Sequence, residues 1–343
     1  MITATPPTRH HSPAHTWQQD LADAVTSADE LLALLGLQPT DVALDPDAAG
    51  FPLRVPRGFV ARMRPGDPHD PLLRQVLPLA LEGRPVAGFI DDPVGDSAAR
   101  RAPGLLQKYH GRALLITTEA CAVHCRYCFR RAYPYAQQVD PVARWDSALA
   151  EVAADPSIRE LILSGGDPWS LSTGRLDALT RRLRGIPHLA RLRIHTRQPI
   201  VLPSRVDRAL LDWLAGLPWQ RIVVVHANHA QEIDADVAAA LTALRDSGAT
   251  VLNQSVLLAG VNDSADALVA LSERLLSAGT LPYYIHLLDR VRGAAHFEVD
   301  EARARQLLAE IATRLPGYLV PKLVRESAGE PAKRAIAAGW PAT

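Results

Sequence analysis

ALLITTEACAVHCRYC, residues 113–128, runs from a short β-rich apolar segment directly into a loop that holds every cysteine of the chain. Cys121, Cys125 and Cys128 stand in a C-x3-C-x2-C spacing, and no other thiol occurs in the 343 residues. Three clustered thiolates can ligate three irons of a 4Fe-4S cube, which normally takes four protein ligands. The fourth iron is then open to a small molecule with amino and carboxylate groups. A zinc site made of the three cysteines and His124 is the alternative. It fits poorly, because structural zinc sites usually join two ligand pairs far apart in the chain. Three unrelated buried thiols would leave the clustering unexplained. The loop directly follows a strand, the place where barrel enzymes put their chemistry.

From Arg112 onward, short β-rich runs alternate with longer amphipathic ones. The runs are 113–117, 160–164, 191–196, 221–226, 250–258 and 282–288, with helical segments at 145–154, 176–183, 206–214, 235–245 and 265–276. Such a β-α series argues for parallel strands and a barrel. Six units rather than eight point to an α/β, partial (βα)6 TIM-like barrel. An ordinary doubly wound sheet stays open as an alternative. YLVPKLV (318–324) reads as a final strand. Ahead of the core, Trp17 to Leu37 carries helical spacing, and a Pro- and Asp-rich stretch follows to Pro103. The expected organisation is an N-terminal lead and helical extension (1–106), the barrel (107–325) and a C-terminal segment (326–343). MITATPPTRHHSPAH has no hydrophobic signal core and reads as a short disordered lead.

Formal net charge is zero and 48% of the residues are hydrophobic, which suits a sizeable core. Nothing argues for a general nucleic-acid or anionic-membrane binder. No apolar run approaches the roughly 20 residues of a membrane span. With no cysteines left over for disulfides, the reducing cytoplasm is the expected compartment.

The second strand ends in Ser164-Gly165-Gly166-Asp167-Pro168, where glycines let backbone groups approach a ligand with no Cβ in the way. Alone, this is more often a strand-to-helix turn. Only three of the 37 basic residues are lysines: Lys108, Lys322 and Lys333. An enzyme using pyridoxal phosphate (PLP) needs a lysine amine to anchor the cofactor's aldehyde, so the candidates are few. By residue type alone each is an ordinary solvated lysine.

The cysteine spacing resembles that of radical S-adenosylmethionine (SAM) enzymes, in which SAM's methionine end chelates the open iron. CAVHCRYCFRR, SGGDP, LRIHTRQPIVLPSRV, NQSVLLAGVND, PYYIHLLDRVRGAAHF and GYLVPKLVRESAGEPAK together resemble the lysine 2,3-aminomutase family of that superfamily. They are most similar to the bacterial branch that supplies β-lysine for modifying translation elongation factor P. The resemblance implies a radical SAM barrel and three cofactors: the 4Fe-4S cluster, SAM and PLP. It implies a 1,2-amino shift that turns L-lysine into β-lysine. It places the PLP-bearing lysine at Lys333 and the PLP phosphate on Arg112 with Lys108. The Ser164-Gly165-Gly166-Asp167 stretch falls where the superfamily contacts SAM's methionine amino group. Arg130 falls on the arginine that binds the substrate carboxylate, and a planar guanidinium suits that bidentate contact. Asp289 and Glu326 fall on the acids that hold the distal ammonium, with Glu326 a departure from the family's usual Asp. By residue type alone, Arg130 and Arg131 could be a solvated basic loop and Asp289 a helix N-cap. Two further departures stand out: Arg334-Ala335 follow the lysine where Thr-Pro is common, and the extra C-terminal cysteines of the stand-alone aminomutases are missing. The second favours the elongation-factor branch. The implied partners are an external electron donor such as flavodoxin or ferredoxin, and a functional link to elongation factor P and its lysyl ligase.

Overall fold

Each of the apolar runs of the core folds as a strand. The computed structural model describes residues 16–44, 51–133 and 141–340, so the lead at 1–15 lies outside the described residues. In chain order the sheet contains β1 (Arg100–Ala102), β2 (Leu105–Leu106), β3 (Arg112–Thr118), β4 (Glu160–Gly165), β5 (Arg191–Thr196), β6 (Gln220–Val225), β7 (Thr250–Val256), β8 (Leu281–His286), β9 (Lys322–Arg325) and β10 (Arg334–Ala335). Neighbours in the sheet are neighbours in the chain throughout. All pairings from β3 to β9 are parallel. The pairs β1–β2, β2–β3 and β9–β10 are antiparallel. A doubly wound sheet reverses its strand order at a switch point and carries helices on both faces. Here the order never reverses, so right-handed crossovers stack their helices on one face and the sheet curls. The doubly wound alternative is excluded. The fold is a partial TIM-like α/β barrel.

Helices at Pro141–Ala154, Thr173–Leu183, Arg208–Ala215, Ala235–Asp246, Ala265–Ser277 and Glu301–Ala312 supply the outer layer. Five of them start where a Ser or Asp side chain accepts from the N–H three residues on: Ser172, Asp207, Asp234, Ser264 and Asp300. The strands obey a two-residue period. On β4 and β5, Leu161, Leu163, Leu192 and Ile194 pack outward against helical Leu176, Leu179, Leu210 and Leu214. Their alternates, Ile162, Ser164, Arg193 and His195, line an interior cavity of about 360 Å³. In a full barrel the inward side chains fill the centre. Here polar groups leave it open for ligands.

The N-terminal extension departs from its expected form. The spacing over Trp17 to Leu37 resolves into two short helices, Trp17–Ala22 and Ala28–Leu34, rather than one. Between them Val25 pairs with Val55 through N–H···O contacts of 2.8 and 3.0 Å, and Ser27 opens the second helix as its cap. Beyond Pro39 the only α-helix before β1 is the single turn Arg57–Val60 among the described residues, because Pro, Gly and Asp interrupt every longer candidate. "Helical" therefore describes only the first part of this extension. Its core residues Leu31, Leu32, Val55, Phe59, Leu72 and Leu73 pack on Ala122 and Val123 of the cysteine loop. The extension is thus the floor beneath that loop. No helix among the described residues is long and apolar enough to cross a membrane.

Candidate active site

The cavity gathers residues from the carboxyl ends of the parallel strands: Ser164, Gly165 and Gly166 after β4, Arg197 after β5, His226 after β6, Leu288 and Asp289 after β8. Cys121, Cys125 and Cys128 form one wall, each half-buried and free of disulfides. Burial pushes the Cys121 thiol well up and that of Cys128 to about 11. Iron would displace those protons on binding. His124 faces elsewhere, with Nδ1 2.8 Å from the Pro52 carbonyl and its ring stacked on Phe51 at 5.0 Å. Among the described residues no group of three or more Cys, His, Asp or Glu side chains is placed to hold a single metal ion.

The glycine pair has a second reason to exist. Gly165 has φ +116°, and a Cβ there would lie 2.6 Å from the Thr118 carbonyl oxygen. At Gly166 it would lie 2.5 Å from the Ala120 carbonyl oxygen. The N–H groups of Gly166 and Asp167 donate to those same oxygens at 2.7 and 2.8 Å. The pair is therefore the seat of the cysteine loop's stem. Gly166→Ala should cost about 1–3 kcal/mol through overpacking against backbone. Thermal unfolding should show that loss, and iron assay should show less than a full cluster. Unchanged melting with full iron would mean the stem yields without cost.

Asp167 lines the cavity at the end of β4 and also braces the fold. Its carboxylate accepts from Thr196 Oγ1 (2.7 Å) and from the N–H groups of Trp169 (3.0 Å), Arg197 (2.6 Å) and Gln198 (3.1 Å). Those bonds tie β4 to β5 and commit its lone pairs to the protein.

A chain of charges runs across the cavity. Arg130 Nη1 donates to Ser164 Oγ (3.1 Å) and Nε to Asp96 Oδ2 (2.8 Å). Lys108 Nζ reaches Asp96 Oδ1 (2.6 Å) and Glu326 Oε1 (2.9 Å), and Lys333 Nζ lies 3.3 Å from Glu326 Oε2. Asp96 was not singled out in the sequence, yet it joins Arg130 to Lys108. Although burial opposes it, Arg130 and Lys108 hold the Asp96 carboxyl below its usual range. Glu326 is likewise held low against burial, by Lys333 and Lys108. At Asp289 the same lysines compensate less: burial, then repulsion from Glu326, outweighs them and pushes it up to about 7. The loop is not a solvated basic patch. Arg130 is 9% exposed, and Arg126 and Arg131 share the buried Glu82 carboxylate at 2.6 and 2.7 Å. The expected basic pair is divided in this state. Lys108 bridges two carboxylates, while Arg112 lines the cavity with its guanidinium 4.7 Å from the Tyr109 ring.

The three lysines separate by position. Lys322 is exposed on β9, whereas Lys108 and Lys333 line the cavity. Lys333 immediately precedes β10, whose antiparallel pairing with β9 folds the C-terminal segment back over the strand ends. Gly329, at φ +82°, supplies the turn. Lys333 Nζ lies 3.3 Å from His286 Nε2 and 5.5 Å from the Tyr284 ring centre. Burial, then the Lys333 charge, holds His286 well below its usual range, so its imidazole is neutral. His195 Nε2, buried without a hydrogen-bond partner, lies on the same wall.

A family model described as a 4Fe-4S single cluster domain matches residues 110–188, from the start of β3 past the cysteine loop and the glycine pair. An L-lysine 2,3-aminomutase of Escherichia coli K12 is 48% identical over 335 residues, covering 97% of this chain and 96% of its own. The chain belongs to the L-lysine 2,3-aminomutase family. The Haemophilus influenzae L-lysine 2,3-aminomutase is 43% identical, over 92% of this chain and 94% of its own. That of Clostridium subterminale is 34% identical over 79% of this chain and 65% of its own. As a family member the chain is a radical SAM enzyme of the isomerase class, with a 4Fe-4S cluster, SAM and PLP as its cofactors.

Proposed function

We propose that this lysine 2,3-aminomutase family member converts L-lysine to β-lysine in the cavity between the cysteine loop and Lys333. The observation that carries the reading is one cavity lined by three thiols, lysine amines, a buried arginine and a half-buried pair of acids. The donor sets suit the cofactors. Soft thiolates suit iron–sulfur chemistry, and the open glycine backbone at the end of β4 suits the amino group of SAM. Lys333 is the cavity lysine for PLP, and Arg112 stands on the wall as a cation for the phosphate. When bound, the cluster and SAM supply a hydrogen-abstracting radical, and PLP supplies a conjugated group that carries the migrating nitrogen.

The chain's own work is binding and exclusion of water. Arg130 presents its guanidinium to the substrate carboxylate, held in place by Asp96 and Ser164. At the other end Asp289 and Glu326 offer carboxylates to the distal ammonium. A substrate with a distal carboxylate would be repelled there, which disfavours a glutamate aminomutase. His286 stands beside Lys333 Nζ as a neutral acceptor for its proton. The test is anaerobic incubation with L-lysine, SAM, PLP and a reductant, followed by amino-acid chromatography. β-Lysine should accumulate with wild-type protein. Its absence from fully reconstituted protein would reject the reading.

The motif resemblance supports a place upstream of elongation factor P, with β-lysine passed to a lysyl ligase, and with flavodoxin or ferredoxin as electron donor. An oxygen-sensitive cluster on free thiols supports a reducing cytoplasmic location. Supplying elongation factor P and its ligase to the same reaction should yield β-lysylated factor. Free β-lysine that the ligase never consumes would point to catabolic or osmolyte use.

A further inference from the structure

One buried guanidinium faces the cysteine loop and has no part in the reading above. Arg197 follows β5, is 7% exposed, and donates Nη1 to Cys125 Sγ at 2.8 Å. Its Nη2 donates to Gln75 Oε1 (2.7 Å) and Glu232 Oε2 (2.9 Å). Its backbone N–H is fixed by Asp167. Glu232 is itself held, accepting from the N–H groups of Asn228 (2.8 Å) and His229 (3.0 Å) and from Gln75 Nε2 (3.2 Å). Gln75 belongs to the N-terminal extension and Glu232 to the loop after β6, so three parts of the fold converge to aim one cation at one sulfur.

Such an arrangement exceeds what packing needs. Burying a guanidinium and a carboxylate is costly unless their polar atoms are answered; here both terminal nitrogens of Arg197 are bonded, while its Nε is left without a partner. A hydrogen bond to a ligating sulfur favours the more reduced, more negative cluster, and that bond is one of the protein's levers on its potential. We infer that Arg197 is a positioning residue that raises the reduction potential of the cluster through Cys125, with Glu232 moderating its field. The inference rests on the proposal that the three cysteines hold a 4Fe-4S cluster. Glu232 sets the sign of a useful control. It partly cancels the Arg197 charge, so removing it should push the potential the other way.

The experiment is an anaerobic redox titration of reconstituted protein without SAM, read by the electron paramagnetic resonance of the reduced cluster. Arg197→Gln should need a more negative poise, with about tenfold less reduced relative to oxidised cluster at the wild-type midpoint. For a one-electron couple that corresponds to about 59 mV. Arg197→Lys, which keeps the charge and loses the planar fork, should fall between. Glu232→Gln should shift in the opposite direction. Should Arg197→Gln fail to fold, Arg197→Lys and Glu232→Gln still give the sign. Unshifted potentials combined with weakened SAM binding would overturn the inference and move Arg197 to the co-substrate. Shifts of the same sign in Arg197→Gln and Glu232→Gln, with lower melting temperatures, would overturn it in favour of packing alone. Wild-type protein that assembles no cluster would overturn the cluster proposal itself, and this inference with it.

Discussion

Lys333→Ala should yield protein that keeps its cluster, loses its bound PLP and forms no measurable β-lysine. Removing a residue that bonds covalently in a reaction costs on the order of a thousandfold or more. The geometry singles out this amine. Lys108 is clamped between Asp96 and Glu326 at 2.6 and 2.9 Å, and engaging it would take from each carboxylate its shortest ion pair. Lys322 is exposed on β9. Lys333 has one carboxylate and one neutral imidazole beside it, both at 3.3 Å, and its segment turns on Gly329. Borohydride reduction of the loaded enzyme and peptide mapping should put the pyridoxyl group on Lys333. Lys322→Ala should behave as wild type. A label on Lys108, or full PLP content in Lys333→Ala, would reject the assignment.

The barrel was readable because its strands are short apolar runs buried on one side by helices, with a clear two-residue period on β5 and β7. Arg193 and His195 alternate with Leu192 and Ile194, and turn residues fence each run, so the bounds of β3 to β8 fall within two residues of the expected ones. In contrast, β9 starts at Lys322, four residues later than expected, behind a 3-10 turn at Gly317–Leu319. Local pattern could not choose between a barrel and a doubly wound sheet. That choice lies in strand order, a property of the whole chain. The extension was hardest to read. The period over Trp17 to Leu37 reports real burial of Trp17, Leu31, Leu32 and Leu35, but the break at Val25 comes from pairing with Val55, thirty residues on.

The site divides in the same way. Thiol spacing is a local property, so Cys121, Cys125 and Cys128 could be grouped at once; lysine scarcity only narrowed the candidates to three, and the family resemblance pointed to Lys333. Asp96 could not be: it sits in a Pro-, Gly- and Asp-rich stretch, and only folding brings it to Arg130 and Lys108. Even its loop's approach depends on a distant fit, since a Cβ on Gly95 would lie 2.9 Å from that of Ala328. Asp167 carries a role that the motif alone does not show: its four hydrogen bonds make it a strut between strands.

Asp289→Asn should raise the lysine requirement by about 30-fold to several thousandfold, corresponding to roughly 2–5 kcal/mol for one partner of a buried charge pair. Cluster, PLP and SAM content should stay intact. In the cofactor-free protein the Lys333 ammonium answers Glu326. Once Lys333 is committed to PLP that charge is gone, and Asp289 with Glu326 is left to attract a cation from outside. The substrate's distal ammonium fills that role. Burial and Glu326 raise Asp289 to about 7 even while the Lys333 ammonium lowers it, so loss of that ammonium to PLP moves its titration higher still. Lysine affinity should therefore strengthen as pH rises through and above 7, with KM increasing up to about tenfold per unit on the acid side. In Asp289→Asn this limb of the profile should vanish, because no proton is left to lose. Arg130→Lys offers the matching test at the other end: it keeps the charge but not the fork, and turnover should fall while the acid limb remains. If Asp289→Asn bound lysine normally and kept the wild-type pH profile, the distal ammonium would have to be held elsewhere. Asp289 would then be a buried acid kept neutral for structural reasons.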